Sequence, residues 1–203
     1  MDLSRPMLPL APRRRLYRVI GNLLFLASVI ALTYVGFTLI EARLYQDAAI
    51  EALGNQTHSA AIAGTYQQKP LLKEGDVLGR MDIARLGLSV AILQGTSPRV
   101  LRLGAGHIAG TAFPGEAGNS GVAGHRDTFF RGLKDVRKDD DIELQTATSL
   151  VRYKVDWVRV VEPDDTGVLA SSTDESTLTL VTCYPFYMVG PAPKRFVVHA
   201  RKS

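Results

Sequence analysis

The feature that most constrains this chain is a long apolar run close to its N-terminus. Residues 19–40 read VIGNLLFLASVIALTYVGFTLI and contain no charged side chain over 22 residues. As a helix the run extends about 33 Å, which is enough to cross a hydrocarbon core of about 30 Å. A core helix of a soluble protein would show a polar stripe, and this run shows none. The sequence therefore predicts a transmembrane helix.

A cleaved signal peptide is the main alternative for this run. Signal peptides have apolar regions of about 7–15 residues that end at a small-residue cleavage site. This run is longer and continues into IEARLYQDAAIEAL, which is helical in pattern, so we expect an uncleaved anchor. Residues 1–18 hold five arginines and one aspartate, whereas Glu41, Arg43 and Asp47 flank the other side. The positive-inside rule then predicts a cytoplasmic tail, a single-pass anchor in the cell membrane and an extracytoplasmic remainder.

Charge and missing motifs exclude several function classes. The net charge of +4 comes entirely from residues 1–18, so the rest of the chain is neutral. A nucleic-acid-binding domain would carry its basic excess on the folded part, and no nucleic-acid partner is predicted. No phosphate-binding loop, H-E-x-x-H helix or zinc-type Cys/His spacing occurs. The acidic run 139–141 is typical of a solvated turn and lacks the spacing of a calcium loop. We predict no metal and no cofactor.

The remainder of the chain is predicted to have two parts. Residues 41–75 are expected to be a helical stalk or linker, with a helix over 41–54. From residue 76 the pattern is that of short strands broken by Gly, Pro and Asp. Strands are predicted at 79–86, 88–93, 122–124, 142–146, 151–158, 178–183 and 196–200, with helical turns at 128–133. One strand is expected to place Val151, Tyr153, Val155 and Trp157 on a single face. Such a set indicates an all-β closed barrel or sandwich.

Cys183 is the single cysteine of the chain. A lone cysteine in an exported domain is either an inert buried side chain or a working thiol. It ends a predicted strand and precedes Tyr184 and Pro185, and a proline cannot continue the hydrogen-bond ladder. Functional side chains often lie at such element ends. A free thiol has a pKa of about 8.5 and needs a neighbouring base or cation to react at neutral pH.

His125 and Arg195 are the candidate partners of that thiol. His125 follows the short strand GVAG, and Arg195 begins the last strand after two prolines. A histidine can act as general acid and base, and the donor fork of an arginine can hold an oxyanion. His107, which is expected in a Gly-rich loop, is the competing candidate for the base, and Arg195 could also be a plain surface cation. Because spatial adjacency is not visible in sequence, these residues alone make a Cys/His/Arg site plausible.

The segments around these residues have distinctive sequences. Thr179–Cys183 read T-L-V-T-C and are followed by YPF, PAPKRF surrounds Arg195, and GTAFPGEAGNSGVAGHRDTFFRGL surrounds His125. In these segments the chain resembles the sortase family, most closely its class D members. A weaker match is IARLGLSVAILQGT, in which Ala84 stands where the family usually has proline. The similarity extends over residues 76–203.

The resemblance implies an eight-stranded β-barrel with short helices over residues 76–203, preceded by the transmembrane helix at 19–40. It implies a cysteine transpeptidase that cleaves an LPxTG-like sorting signal through a thioacyl-enzyme. The acyl group would pass to an amine of a cell-wall precursor or of a pilin. Cys183 would be the nucleophile, His125 the acid/base and Arg195 the oxyanion stabiliser, with Thr182 a weaker candidate for substrate binding. The partners would be surface proteins or pilins that bear the signal.

Two other functions fit the same residues. An exported cysteine peptidase would use the same site but let water resolve the thioester, and the outcome depends on how the cleft excludes water. A non-catalytic cell-surface binding domain would carry an inert Cys183. Product analysis with and without an amine distinguishes a cysteine peptidase from a transpeptidase. The reactivity of the Cys183 thiol distinguishes either enzyme from a non-catalytic binding domain.

Overall fold

The computed structural model describes residues 11–63, 72–170 and 175–203. Its first element is a long helix, α1, at Ala11–Ala63. The segment Leu16–Glu51 is long and apolar enough to cross a membrane, and its apolar side chains from Leu16 to Ile40 are exposed. This confirms the predicted N-terminal apolar helix. Residues 1–10 of the predicted tail and residues 64–71 of the predicted stalk lie outside the described residues.

The remainder of the described chain is built on a closed barrel of eight strands. They are β1 Val77–Ile83, β2 Leu88–Gln94, β3 Ala105–His107, β4 Gly118–Ala123, β5 Asp141–Thr146, β6 Leu150–Val161, β7 Ser176–Tyr184 and β8 Lys194–Lys202. Their order around the barrel is β1-β2-β3-β4-β7-β8-β6-β5, and β5 pairs with β1 to close it. Closure removes the free edges that an open sheet would expose. The barrel is confirmed and the sandwich alternative is wrong.

Short helices connect some of the strands. They are α2 at Pro98–Leu103 and three 3₁₀ turns at Ala84–Leu86, Arg131–Asp135 and Thr166–Leu169. The predicted strand 79–86 is therefore too long, because the backbone leaves β1 after Ile83 and forms the first of these turns. That turn ends at Gly87, whose φ of 60° is the left-handed conformation that glycine adopts readily.

Alternating residues fill the barrel interior. Leu178 and Leu180 of β7 are fully buried there, and Val198 and Ala200 of β8 pack in the same core. Tyr153 of β6 is also fully buried, and its hydroxyl makes a hydrogen bond of 3.1 Å with the Ser176 hydroxyl. Residues between these positions point outward, so Val181 and Cys183 of β7 share the outer face, as do Arg195 and Val197 of β8.

Trp157 does not share the face of Val155, contrary to the predicted alternation. Val155 pairs with Ala200, and Trp157 pairs with the next residue, His199, so Asp156 is the extra residue of a β-bulge. The bulge turns the Trp157 ring to the outer face, where it stacks on the His199 ring at 4.9 Å. The predicted alternation is wrong here because one inserted residue turns every later side chain of the strand to the opposite face of the sheet.

The chain divides after Glu41 into two compact units. In the second unit, the α1 residues that follow Glu41 pack against β2 and α2. Gln46 is buried, and its side chain accepts a hydrogen bond from the Ala91 amide and donates one to the Leu103 carbonyl. Ala49 is buried in the same contact. The first turns of the predicted stalk therefore belong to the same compact unit as the barrel.

Candidate active site

Cys183 lies at the second-to-last position of β7, as expected for a residue just before Pro185. Its side chain is partly exposed and forms no disulfide. In the antiparallel pair β7–β8, Cys183 is directly opposite Arg195. Residues in such positions have Cβ atoms about 4.5–5.5 Å apart and side chains on the same face. The two side chains are therefore cross-strand neighbours.

Arg195 is the second residue of β8. Its Nη1 donates hydrogen bonds to the carbonyls of Lys194 at 3.0 Å and Ala192 at 3.3 Å. These contacts fix the end of the side chain next to the end of β7. Both contacts use Nη1, and within residues 72–170 and 175–203 no hydrogen bond occupies the other donors of the fork, which could meet a carbonyl or oxyanion.

His125 reaches the same end of β7 from the opposite side. β4 runs parallel to β7 with Ala123 paired to Val181, and the Gly124 amide continues the ladder by donating to the Val181 carbonyl at 3.1 Å. His125, one residue further, therefore falls level with the end of β7 that carries Cys183. β7 lies between β4 and β8 in the barrel, so the three predicted residues occupy adjacent strand ends.

Three contacts hold the His125 segment in place. The Thr182 hydroxyl, which is almost completely buried, donates to the Gly124 carbonyl at 2.7 Å. The Phe130 ring packs on the backbone of Gly124 so closely that a Cβ there would lie 2.7 Å from it. The Phe130 amide in turn donates to the His125 carbonyl at 3.0 Å. Glycine at position 124 thus allows the GHRDTFF segment to fold back over the strand end. The substrate-binding role of Thr182 stays a prediction.

His107 is engaged in structural contacts. It is the last residue of β3, so its expected place in a loop was wrong. Its Nε2 contacts the Ala112 carbonyl at 2.9 Å and the Thr111 hydroxyl at 3.1 Å, and its Nδ1 contacts Gln94 Oε1 at 3.1 Å. Burial lowers the pKa of His107. With both ring nitrogens occupied two strands away from Cys183, this histidine braces the β3–β4 connection.

A groove leads away from Arg195 along the outer face of the barrel. Its floor is formed by β6, β7 and β8, and its wall by the connection between β6 and β7. The apolar lining consists of Ile108, Val161, Val168, Leu169, Val181 and Val197. The Glu162 carboxylate at the rim forms an ion pair with Lys194 at 3.1 Å. The lining also includes Pro163, Thr166 and the Asp165 carboxylate. The groove is therefore mainly apolar, with Arg195 as its cation and two carboxylates among its lining groups.

The wall of the groove is fixed by polar residues that sequence reasoning missed. Asn119 of β4 donates to the carbonyls of Val168 and Ala170 at 3.2 Å each, and its Oδ1 accepts a hydrogen bond of 2.8 Å from the Thr179 hydroxyl. All of Thr179 is buried. The sequence carries one signal for these contacts: a threonine and an asparagine lie within apolar strands. A buried polar side chain needs a hydrogen-bond partner, so such residues indicate a polar contact inside the fold.

Comparison with known proteins agrees with this geometry. The sequence model of the sortase domain matches residues 81–203. The chain belongs to the sortase family. It is 29% identical over 196 residues to sortase D of Bacillus subtilis (strain 168), covering 91% of this chain and 98% of that protein. This sortase is thus a member of a family of cysteine transpeptidases, and its predicted likeness to class D is confirmed.

Solved structures show the same similarity. A sortase D5 transpeptidase of Clostridium perfringens matches this sortase with a TM-score of 0.66 and 28% identity, over 78% of this chain and 98% of the other. Sortase C of Clostridium perfringens SM101 matches with a TM-score of 0.60 and 28% identity, over 84% and 98%. A lid mutant of sortase A from Corynebacterium diphtheriae matches with a TM-score of 0.61 and 27% identity, over 77% and 92%.

Proposed function

We propose that this sortase is a membrane-anchored transpeptidase that cleaves an LPxTG-like sorting signal and transfers its acyl part to an amine. The observation that carries the proposal is the placement of Cys183, His125 and Arg195 at adjacent ends of β7, β4 and β8. Nucleophile, acid/base and oxyanion donor are the three groups that acyl transfer requires.

The chemistry proceeds in two steps. The Cys183 thiolate attacks the threonine carbonyl of the signal, and Arg195 stabilises the oxyanion. The carbon–nitrogen bond to the next residue breaks as His125 gives its proton to the leaving amine, which leaves a thioacyl-enzyme. An incoming amine then loses its proton to His125 and attacks the thioester. The carbon–sulfur bond breaks and the Cys183 thiolate returns.

The apolar lining of the groove favours a substrate whose residues upstream of the scissile bond are apolar. Its lining is formed by aliphatic side chains such as Val181 and Val197, and it ends at Arg195. The leucine and proline of an LPxTG-like signal are apolar and would be removed from water there, which favours their binding. The threonine carbonyl would then lie near Arg195, next to Cys183.

The proposed setting is the outer face of the cell membrane. Residues 1–18 would form the cytoplasmic tail and 19–40 the anchor, because the arginines precede the apolar run. Residues 41–75 would form the helical stalk or linker and 76–203 the catalytic domain. The acyl donors would be surface proteins or pilins, and the acceptor a cell-wall precursor or a pilin lysine. Protein anchoring to the cell wall would be the result.

The test uses the full chain in lipid nanodiscs with fluorogenic LPxTG and LPxTA peptides and a small amine. Cleavage that yields the amine-capped peptide, and is lost in Cys183→Ala, is the expected result. Cleavage to the free acid alone, with amine present, would favour the cysteine peptidase. No cleavage together with a thiol that resists alkylation would favour a non-catalytic binding domain. Thr177→Val, at the far end of the same strand, is the control variant and should retain activity.

A further inference from the structure

Arg126 follows the proposed acid/base residue directly, yet its side chain points into the protein. It is 8% exposed. Its guanidinium donates three hydrogen bonds, all to backbone carbonyls of residues 185–193, which we name the β7–β8 loop. The acceptors are Pro185 at 2.9 Å, Met188 at 2.6 Å and Gly190 at 2.9 Å. Within the described residues this guanidinium forms no ion pair with a carboxylate.

Such an arrangement is energetically demanding. Removing a guanidinium from water costs several kcal/mol unless good partners replace the solvent. Charge-assisted hydrogen bonds are about twice as strong as neutral ones, and the planar fork can address several carbonyls at once. Three carbonyls that converge on one buried cation fix the path of the loop, because the loop cannot move without leaving the cation unpaired.

The clamped loop joins the two other residues of the proposed site. It begins two residues after Cys183 and ends two residues before Arg195, and its base is the pair Tyr184 and Lys194. Phe186 anchors the base by packing on Phe196, with ring centroids 5.0 Å apart. Beyond the clamp, the tip residues Tyr187 and Val189 are 77% and 97% exposed. Arg126 thus ties the His125 segment to the loop that connects the nucleophile with the oxyanion donor.

We infer that Arg126 is a positioning residue that holds His125 in register with Cys183 and fixes the path of the β7–β8 loop that follows Cys183. This inference rests on the proposed transpeptidation. Without the clamp, the loop and the His125 segment would move independently. Misplaced catalytic groups lower the rate of the chemical step more than they weaken substrate binding. Movement of the loop that follows Cys183 would also change how water reaches the thioester, and so the share of hydrolysed product.

The test compares variants of the full chain in nanodiscs with the same peptide and amine. Arg126→Met keeps the length and apolar part of the side chain but has no donors. We expect kcat to fall about tenfold or more, with KM changed less than about threefold. The ratio of amine-capped to hydrolysed product should also fall. Arg126→Lys should give intermediate values, because one ammonium group cannot span three carbonyls. Arg131→Met, an exposed arginine five residues away, is the matched control.

Gly190→Ala probes the clamp from the loop side. Gly190 has a φ of +96°, and nothing lies within 4 Å of an added Cβ, so the substitution strains the loop backbone without a steric clash. It should shift kcat and product ratio in the same direction as Arg126→Met, by a smaller amount. Thermal unfolding shows whether each variant is folded. If Arg126→Met is unfolded, the kcat and product ratio of Gly190→Ala test the role of the clamp instead.

Two outcomes would overturn the inference. One is a folded Arg126→Met that matches the Arg131→Met control in kcat and product ratio. The other, needed if Arg126→Met is unfolded, is a Gly190→Ala variant with wild-type kcat and product ratio. A wild-type protein without Cys183-dependent cleavage would instead refute the proposed function. In that case hydrogen exchange of the loop amides tests the clamp alone, and unchanged exchange in Gly190→Ala would contradict it.

Discussion

At the scale of single residues, the proposed site depends on the placement of side chains across neighbouring strands. Cys183 and Arg195 are opposite each other in β7 and β8, so their proximity follows from the register of one antiparallel pair. Arg195 is held by two backbone carbonyls, which orients the fork before a substrate arrives. A preorganised donor stabilises a developing oxyanion without rearrangement during the reaction.

Arg195→Met tests that role. The substitution removes the donors and keeps an apolar side chain of similar length next to the groove. Loss of one oxyanion donor typically costs about 2.7–4 kcal/mol of transition-state stabilisation, so kcat should fall by a factor of about 100 to 1,000. Steady-state kinetics with the LPxTG-like peptide measures this fall in kcat. Arg201→Met, an exposed arginine on the same strand, is the control and should stay near the wild type. A comparable loss in both variants would argue against the assigned role.

At the scale of elements, the part of α1 after Glu41 contacts the rest of its unit through two polar side chains, Gln46 and Tyr45. Gln46 accepts a hydrogen bond from the Ala91 amide and donates one to the Leu103 carbonyl. The helix comes so near that a Cβ at Gly104 would lie 2.9 Å from Gln46 Nε2. Tyr45 adds a hydrogen bond of 3.0 Å from its hydroxyl to the Gly75 carbonyl. This contact makes the helix a part of the folded unit.

Gln46→Ala should therefore destabilise the barrel. Leaving a buried donor and acceptor without partners costs about 1–3 kcal/mol for each group that water cannot reach. We expect the free energy of unfolding to fall by about 2 kcal/mol and the Ala91 amide to exchange faster. Denaturant unfolding of the full chain in detergent, with hydrogen exchange, measures both. Asp47→Ala, on the exposed side of the same helix turn, is the control. Equal exchange at Ala91 in both variants would refute the docking role.

At the scale of the whole molecule, closure of the barrel brings together segments that are far apart in the chain. β4 and β7 pair in parallel although about 60 residues separate Ala123 from Val181. The fold also buries His107 and partly buries His199, which stacks under the Trp157 ring on the outer face. Burial lowers the pKa of both His107 and His199, and for His199 the nearby Asp156 partly opposes that effect. The fold therefore favours the neutral form of each ring.

This predicts that stability falls as the medium becomes mildly acidic. In the unfolded chain a histidine takes up its proton near pH 6.5, whereas in the fold it does so only at lower pH. Below about pH 6.5 the unfolded state binds more protons, so the free energy of unfolding decreases with falling pH. Each histidine contributes less than about 1.4 kcal/mol per pH unit, until the pH reaches its folded pKa.

Denaturant unfolding between pH 7.5 and 5.5 measures this slope. Above pH 5 the carboxyl group of Asp140, whose pKa is lowered by its hydrogen bond with Arg85, stays ionised in both states and does not contribute. His199→Phe keeps a ring against Trp157 but cannot titrate, so its slope should be smaller than that of the wild type. An identical slope in this variant would show that His199 does not contribute.

The sequence by itself determined the apolar helix, most of the strands and the position of Cys183 at a strand end, because these depend on local periodicity and on where proline stops a ladder. The site residues were identified largely through motif resemblance, and their adjacency came only from the tertiary structure. Register between distant strands, the bulge that turns Trp157 outward, the docking of Gln46 and the Arg126 clamp each join residues far apart in the chain. Such contacts leave no periodic signal in the sequence, since the partners meet only when the barrel closes.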